Sequence, residues 1–367
     1  MSARAQIFGR WLLIFAATCA SALQPTALAQ DRNGSITPAQ VTQAIERVRS
    51  SPVNENILNQ ALALGGALLR EGRFAEAADL FNALADKRPQ HPAVLYGAAL
   101  ATFNAGRTTQ AEPLARRAVD AALGDAQTAN AGGAGNESAA DALVLLAVVL
   151  AVRGDDVGAL KSVEKAVRLA PNNFDAQLAL GRALFGSGDD AGAARAFRAA
   201  IALRPKDASA RFFLATALEH GGEIDAALAT YRELIAQKPD AADGHLGLGV
   251  LLLKRGETVE GIRALQRALD INPNLYEARI TLGRTLVAQG RATEAVEHLR
   301  RAAELAPANP EPHYQLSIAY NRLGRKDEAA AESLIVKRIH ESRRNTNTNM
   351  NANSNGAQAS SPTAPDK

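Results

Sequence analysis

Residues 174–207 read FDAQLALGRALFGSGDDAGAARAFRAAIALRPKD, and residues 208–241 follow as ASARFFLATALEHGGEIDAALATYRELIAQKPDA. Laid one above the other, they align Gly181 with Ala215, Gly188 with Gly222, Ala193 with Ala227, Phe197 with Tyr231 and Pro205 with Pro239. The proline recurs every 34 residues as Pro171, Pro205, Pro239, Pro273 and Pro307. The glycine keeps the same step as Gly154, Gly188, Gly222, Gly256, Gly290 and Gly324. An unslipped period of this kind marks one structural unit copied along the chain, so it is read before any other feature.

With the glycine as position 15 and the proline as position 32, repeats begin at 140, 174, 208, 242, 276 and 310. Two more begin at 58 and 92, carrying Gly72 and Gly106 at position 15 and Pro89 at position 32 of the first. Gly106 and Gly154 are 48 residues apart, 14 more than one period. Residues 126–139, with Gly132, Gly133 and Gly135, have loop composition and are expected to form an inserted loop. The domain plan is then repeats one and two over 58–125 and repeats three to eight over 140–343.

The unit is predicted to be a helical hairpin, all-α. Position 8 is small in every repeat (Gly65, Ala99, Ala147, Gly181, Ala215, Gly249, Gly283, Ser317), and position 20 is alanine, or glycine at Gly261. Small residues at both points let two helices approach closely. Leucine at position 7 and a larger side chain at position 24 (Phe81, Phe197, Tyr231, Leu265, Leu299) fill the space beside them. Glycine at position 15 suits the left-handed residue that ends a helix. Asp155-Asp156 and Asp189-Asp190 follow it, where an acid caps the next helix and opposes its positive end. Proline at position 32 ends the second helix. Helix A spans about positions 1–14 and helix B about positions 18–31.

This pattern resembles the tetratricopeptide repeat family over residues 58 to about 343. The likeness rests on small positions 8 and 20, apolar positions 7, 24 and 27, Gly at 15 and Pro at 32. The family's aromatic at position 4 is absent, with Gln177, Arg211, His245 and Arg279 standing there, and Leu123 replaces the closing proline of the second repeat. The resemblance implies a right-handed α-solenoid of about eight 34-residue repeats, with helix A lining the concave face.

On that geometry positions 2, 5, 9, 12 and 13 face a groove. The groove residues so placed are Tyr96, Phe103, Val148, Leu178, Arg182, Phe185 and Phe212 in the first five repeats. Leu246, Val250, Leu253, Ile280, Arg284, Tyr314 and Ile318 continue the set. The lining is apolar and suits a partner helix or an extended apolar peptide. The family groove that clamps a terminal carboxylate uses Lys and Asn at positions 5 and 9. Position 5 here is Val144, Leu178, Phe212, Leu246 and Ile280 in repeats three to seven, which speaks against such a clamp.

The ends read differently. Arg4 and Arg10 precede the apolar run 11–20, and Ala27-Leu28-Ala29 forms a small-residue cleavage site, so residues 1–29 are expected to be a secretory signal. The apolar run is shorter than the roughly 20 residues a bilayer span needs. An organelle transit peptide is the rival reading, and Cys19 is a conceivable lipid anchor. The expected location is outside the cytoplasm, in the periplasm or envelope of a Gram-negative bacterium, with no transmembrane segment after signal removal. Residues 30–57 hold a linker and one capping helix over 38–49, with Thr37 at its N-cap. Residues 344–367, rich in Asn, Ser and Pro, are expected to be a disordered tail.

The chain has 367 residues, a formal charge of +3 and one cysteine, Cys19. Losing Arg4 and Arg10 with the signal takes the charge to +1, too little to indicate nucleic acid. The six histidines lack metal-ligand spacing, and no phosphate loop or nucleophile elbow occurs. No catalytic residue, cofactor or metal is expected. The sequence therefore points to a non-enzymatic scaffold or adaptor for a protein or peptide partner. One alternative is the targeting subunit of an enzyme complex, such as a glycosyltransferase, whose catalytic part is on another chain. A second is an array that stacks end to end.

Overall fold

The computed structural model describes residues 36–128 and 132–358, and all regular structure in them is helical. A first unit ends at Gly222. It holds α1 (Pro38–Ser50), α2 (Glu55–Arg70), α3 (Phe74–Lys87), α4 (Pro92–Asn104), α5 (Thr108–Thr128), α6 (Gly132–Val152), α7 (Asp156–Leu169), α8 (Phe174–Ser187), α9 (Asp190–Leu203) and α10 (Ala208–His220). The second unit starts at Glu223. It holds α11 (Ile224–Gln237), α12 (Ala242–Lys254), α13 (Thr258–Ile271), α14 (Tyr276–Ala288), α15 (Ala292–Leu305), α16 (Pro310–Arg322) and α17 (Lys326–Gln358). From α2 onward even-numbered helices are helix A of a repeat and odd-numbered ones helix B. The chain is an all-α helical-repeat solenoid.

The punctuation works as the residues require. Every position-15 glycine, from Gly72 (φ 74°) to Gly324 (φ 73°), has positive φ, and no other described residue does. An L side chain is disfavoured there by about 1–2 kcal/mol, which fixes glycine at the turn. The left-handed residue returns the chain so that Arg73 N–H reaches Leu68 O at 2.9 Å and Gly72 N–H reaches Leu69 O at 3.2 Å. The same pair of bonds recurs at Gly188 and Asp189, and at Gly290 and Arg291. It satisfies carbonyls that a helix end leaves without a partner. Asp155 and Asp189 accept from the backbone N–H of Gly158 and Gly192, each at 2.8 Å, so the acids after the glycine are N-caps as expected.

Close approach explains positions 8 and 24. A Cβ placed on Gly181 would lie 2.5 Å from Phe197 Cε1, and one on Gly283 would lie 2.6 Å from Leu299 Cγ. The next repeat closes on the same side chain from its other face. A Cβ on Gly97 would lie 2.4 Å from Phe81 Cε1, and one on Gly247 would lie 2.4 Å from Tyr231 Cζ. Position 24 is thus the peg that joins its own helix A to the following one, and Phe81, Phe197, Tyr231, Leu265 and Leu299 are all fully buried. In the last repeat this position is Ser333, whose hydroxyl donates to Ala329 O. The eighth repeat therefore offers no peg to a ninth, or to a second copy stacked on it.

Within each unit the A helices of successive repeats touch: α2–α4, α4–α6, α6–α8 and α8–α10 in the first, α12–α14 and α14–α16 in the second. Successive B helices make no comparable contact among the described residues. The A helices consequently lie on the tighter side of each stack.

The leading helix caps the first repeat as expected. Thr37 and Gln40 form a reciprocal capping box, and Val41 and Val48 are buried where α1 packs on α2 and α3. Arg73 donates to Ile36 O and ties the segment down.

Two expectations need correction. The inserted residues do not form a loop over 126–139: α5 runs on to Thr128 and α6 starts at Gly132, leaving 129–131 outside the described residues. Fourteen residues supply about two extra turns to each of two antiparallel helices, so the hairpin lengthens without changing its register. Its alanines favour helix, and Gly135 serves close approach, a Cβ there lying 3.0 Å from Ala126 Cα. Likewise α17 continues through Gln358, well past residue 344. No Gly or Pro interrupts it between Lys326 and Gly356, and extending an existing helix needs only one residue fixed per new hydrogen bond. The signal segment and residues 359–367 of the tail lie outside the described residues.

Candidate protein-docking face

The groove residues fall on the A helices of both units, and their surroundings differ. In the first unit Tyr96 and Phe103 of α4, Val148 of α6 and Phe212 of α10 are half-buried. Leu178, Arg182 and Phe185 of α8 are buried. Aromatic neighbours cover Arg182 and Phe185. Phe185 meets His220 edge-on at 5.1 Å between ring centres, and Phe213 stacks on Phe197 at 5.6 Å. The Arg182 guanidinium lies 5.5 Å from the Phe213 ring centre, an attraction between a cation and the negative face of the ring. These three are packing residues of α8, α9 and α10.

The A helices of the second unit lack the aromatic cover seen over α8. Position 6 is Gly247 on α12 and Thr281 on α14, where α10 has Phe213, and Ala288 on α14 stands where α10 has His220. Leu246, Val250 and Leu253 follow at helical spacing on α12, Ile280 and Arg284 on α14, and Tyr314 and Ile318 on α16. Leu246, Val250, Leu253, Ile280 and Ile318 are half-buried and rest on a core that includes Leu265, Leu282, Leu286, Leu299 and Tyr320. Tyr314 is 52% exposed, and Arg284 is exposed. Three A helices thus carry adjacent apolar stripes with core beneath and solvent above.

Polar contacts hold this face in shape. Arg322 donates to Val287 O and pins α16 to α14. Asn309 Nδ2 donates to the Tyr276 hydroxyl at 2.8 Å, which ties the turn before α16 to the start of α14. Neither role is visible in the sequence, because position 13 varies between repeats and Tyr276 stands where other repeats have Leu, Phe, Ala or Pro. His313 Nδ1 lies 2.6 Å from Glu332 Oε2 between α16 and α17. His298 lies against Arg279, and its pKa falls below the usual value through burial and that nearby cation.

Among the described residues no three His, Cys, Asp or Glu side chains gather as a metal site requires. A depression of about 310 Å³ at the turns of the first two repeats is lined by Gly72, Arg73, Glu76, Asn104, Ala105 and Arg107. Arg73 is already engaged there by Glu76 at 2.7 Å. Gly133–Val152 is, among the described residues, the helix long and apolar enough to cross a membrane by length and composition. Its Leu143, Val144, Leu146, Val149 and Leu150 are buried in the first unit.

Comparison with known proteins agrees with this geometry. A tetratricopeptide repeat model matches residues 62–126 and 178–242, and the model of the middle TPR-like domain of cilia and flagella-associated protein 70 matches 211–340. No curated protein sequence matches the chain. Among solved structures, the APC/C hetero-tetramer Cut9–Hcn1 aligns with TM-score 0.55 at 15% identity, over 77% of this chain and 52% of that one. PilF of Pseudomonas aeruginosa aligns with TM-score 0.51 at 19% identity, over 56% and 94%. YrrB, a TPR protein with an unusual peptide-binding site, aligns with TM-score 0.44 at 22% identity, over 55% and 96%. At such identities the likeness is one of fold. Tetratricopeptide-type repeat models thus match parts of the chain, and the solved structures share its helical-repeat fold.

Proposed function

We propose that the protein is a non-catalytic adaptor of the cell envelope that holds a peptide or helix of another protein on the A-helix face of its second unit. One observation carries this reading. Leu246, Val250, Leu253, Ile280 and Ile318 are half-buried apolar side chains on three adjacent A helices, resting on one core that this unit leaves open above them. Covering each large side chain would contribute roughly 1.5–3 kcal/mol at full burial, so a few anchors suffice for a stable complex. The B helices do not offer the same surface. Their outward positions carry Arg263 and Arg267 on α13 and Arg300 on α15, all exposed.

Photo-crosslinking tests the placement. A benzophenone amino acid put at Leu246, Ile280 or Ile318 is expected to yield a discrete adduct in cells, and one at Arg263, Arg267 or Arg300 is not. Adducts from the B-helix positions alone would overturn the proposal.

The envelope location rests on Arg4, Arg10, the apolar run 11–20 and Ala27-Leu28-Ala29. The chain recovered from a periplasmic extract is expected to begin at Gln30 by intact mass. A full-length chain confined to the cytoplasm would exclude this location while leaving the docking face intact.

A further inference from the structure

Resting on that reading, we infer that the second unit selects a partner segment carrying an acidic side chain between apolar anchors, with Arg284 of α14 as its counter-charge. Arg284 is exposed and meets no carboxylate or hydrogen-bond acceptor among the described residues. Other arginines of the unit are engaged: Arg255 with Asp225 at 2.8 Å, Arg291 with Glu294 at 2.7 Å, Arg301 with Glu304 at 2.6 Å. Arg284 instead sits in the middle of the apolar face. Ile280 is one turn before it, and Val250 and Ile318 occupy the equivalent position on the flanking helices α12 and α16.

The charges on the three A helices are sorted by row. Asp243, Glu277 and Glu311 stand at the N-terminal ends, and Lys254 and Arg322 at the C-terminal ends. Glu277 is seven residues from Arg284. That is about 10 Å along a helix, the distance at which salt screens exposed charges. The acid row therefore does not neutralise Arg284. A segment laid on the apolar floor would exclude water around the guanidinium, which strengthens its attraction for a carboxylate and penalises a cation.

The occupant is a segment of another protein. With the signal removed, the terminal residues outside the described ones are 30–35 and 359–367, and neither stretch has a large apolar side chain to serve as an anchor.

The test uses the full mature chain and two synthetic peptides of about twelve residues with capped ends. Both carry the same leucines, and the intervening charges are Glu in one and Lys in the other. Calorimetry is expected to give about tenfold tighter binding of the Glu peptide. Arg284→Gln should abolish the preference and Arg284→Glu should reverse it, with melting temperatures unchanged. Equal affinities, or tighter binding of the Lys peptide, would overturn the charge selection but leave the apolar docking face standing. Binding of neither peptide to the wild-type chain, or binding that Leu246→Glu does not weaken, would overturn both.

Discussion

Phe81→Ala should destabilise the first unit by about 3–5 kcal/mol, the range for removing a buried aromatic side chain. Phe81 is fully buried, and two glycines flank it: a Cβ on Gly65 would lie 2.5 Å from its Cζ, and one on Gly97 2.4 Å from its Cε1. The ring occupies the space that both glycines vacate. Its removal leaves a hole between α2, α3 and α4 that backbones held by their own hydrogen bonds cannot close. Each repeat is stabilised mainly through its neighbours, so the loss falls on two repeats. Gly97→Leu should also destabilise, because the added side chain competes for the same volume. Urea melts followed by circular dichroism measure both effects. A loss below about 1 kcal/mol for Phe81→Ala would show that position 24 does not join the repeats.

Asp141→Asn should stabilise the same unit at neutral pH, by about 2 kcal/mol. Asp141 lies on α6 just after its lengthened part, which carries Glu137. Asn173, the N-cap of α8, donates from Nδ2 to Asp141 Oδ1 at 3.0 Å and to Glu137 Oε2 at 2.6 Å. Burial pushes the Asp141 carboxyl up to about 6, and the nearby Asp175 and Glu137 add to the rise, while the Asn173 hydrogen bond opposes it. Asp175 is raised by burial as well. The folded state therefore holds the proton that the unfolded state has released. The stability from protonated Asp141 is fully present below about pH 4 and is lost as the pH rises through about 6. Asparagine keeps the acceptor oxygen without the charge. Its gain should be full at pH 8 and absent at pH 4, and an equal gain at both would contradict the assignment. His298 in the second unit carries the opposite sign, since its pKa is lowered. It contributes above its ordinary value and loses that contribution as the pH falls below it.

The repeating architecture was legible because each recurrent residue answers a local requirement. Glycine at position 15 needs no tertiary information, since only the left-handed turn demands it, and all eight adopt that conformation. The pairing of a small position 8 with a large position 24 is likewise local to one hairpin. Composition misled at the insertion, where Gly133 and Gly135 suggested a turn. There the partner helix decided the outcome, because Ala126 of α5 comes close enough to need a glycine opposite it.

The candidate face was partly legible for a related reason. Equivalent positions of helix A were read as equivalent surface, yet their exposure depends on side chains one repeat away. Phe213 and His220 on α10 close over Arg182 and Phe185. On α14 the smaller Thr281 and Ala288 stand in the places of Phe213 and His220, opposite Val250 and Leu253 of α12. The difference is written in positions 6 and 13, and it becomes readable only once neighbouring A helices are known to touch.

The docking face is tested most directly by measuring partner affinity and unfolding free energy together for Leu246→Glu. The partner is the protein recovered by crosslinking through the A-helix face. Leu246 is half-buried above the core, so the account requires a glutamate there to leave the core residues beneath in place. Affinity should fall by about 2 kcal/mol, roughly thirtyfold, with helicity and urea midpoint preserved. Unchanged affinity, or a loss of binding that tracks a loss of helicity, would contradict the docking face and mark Leu246 as core.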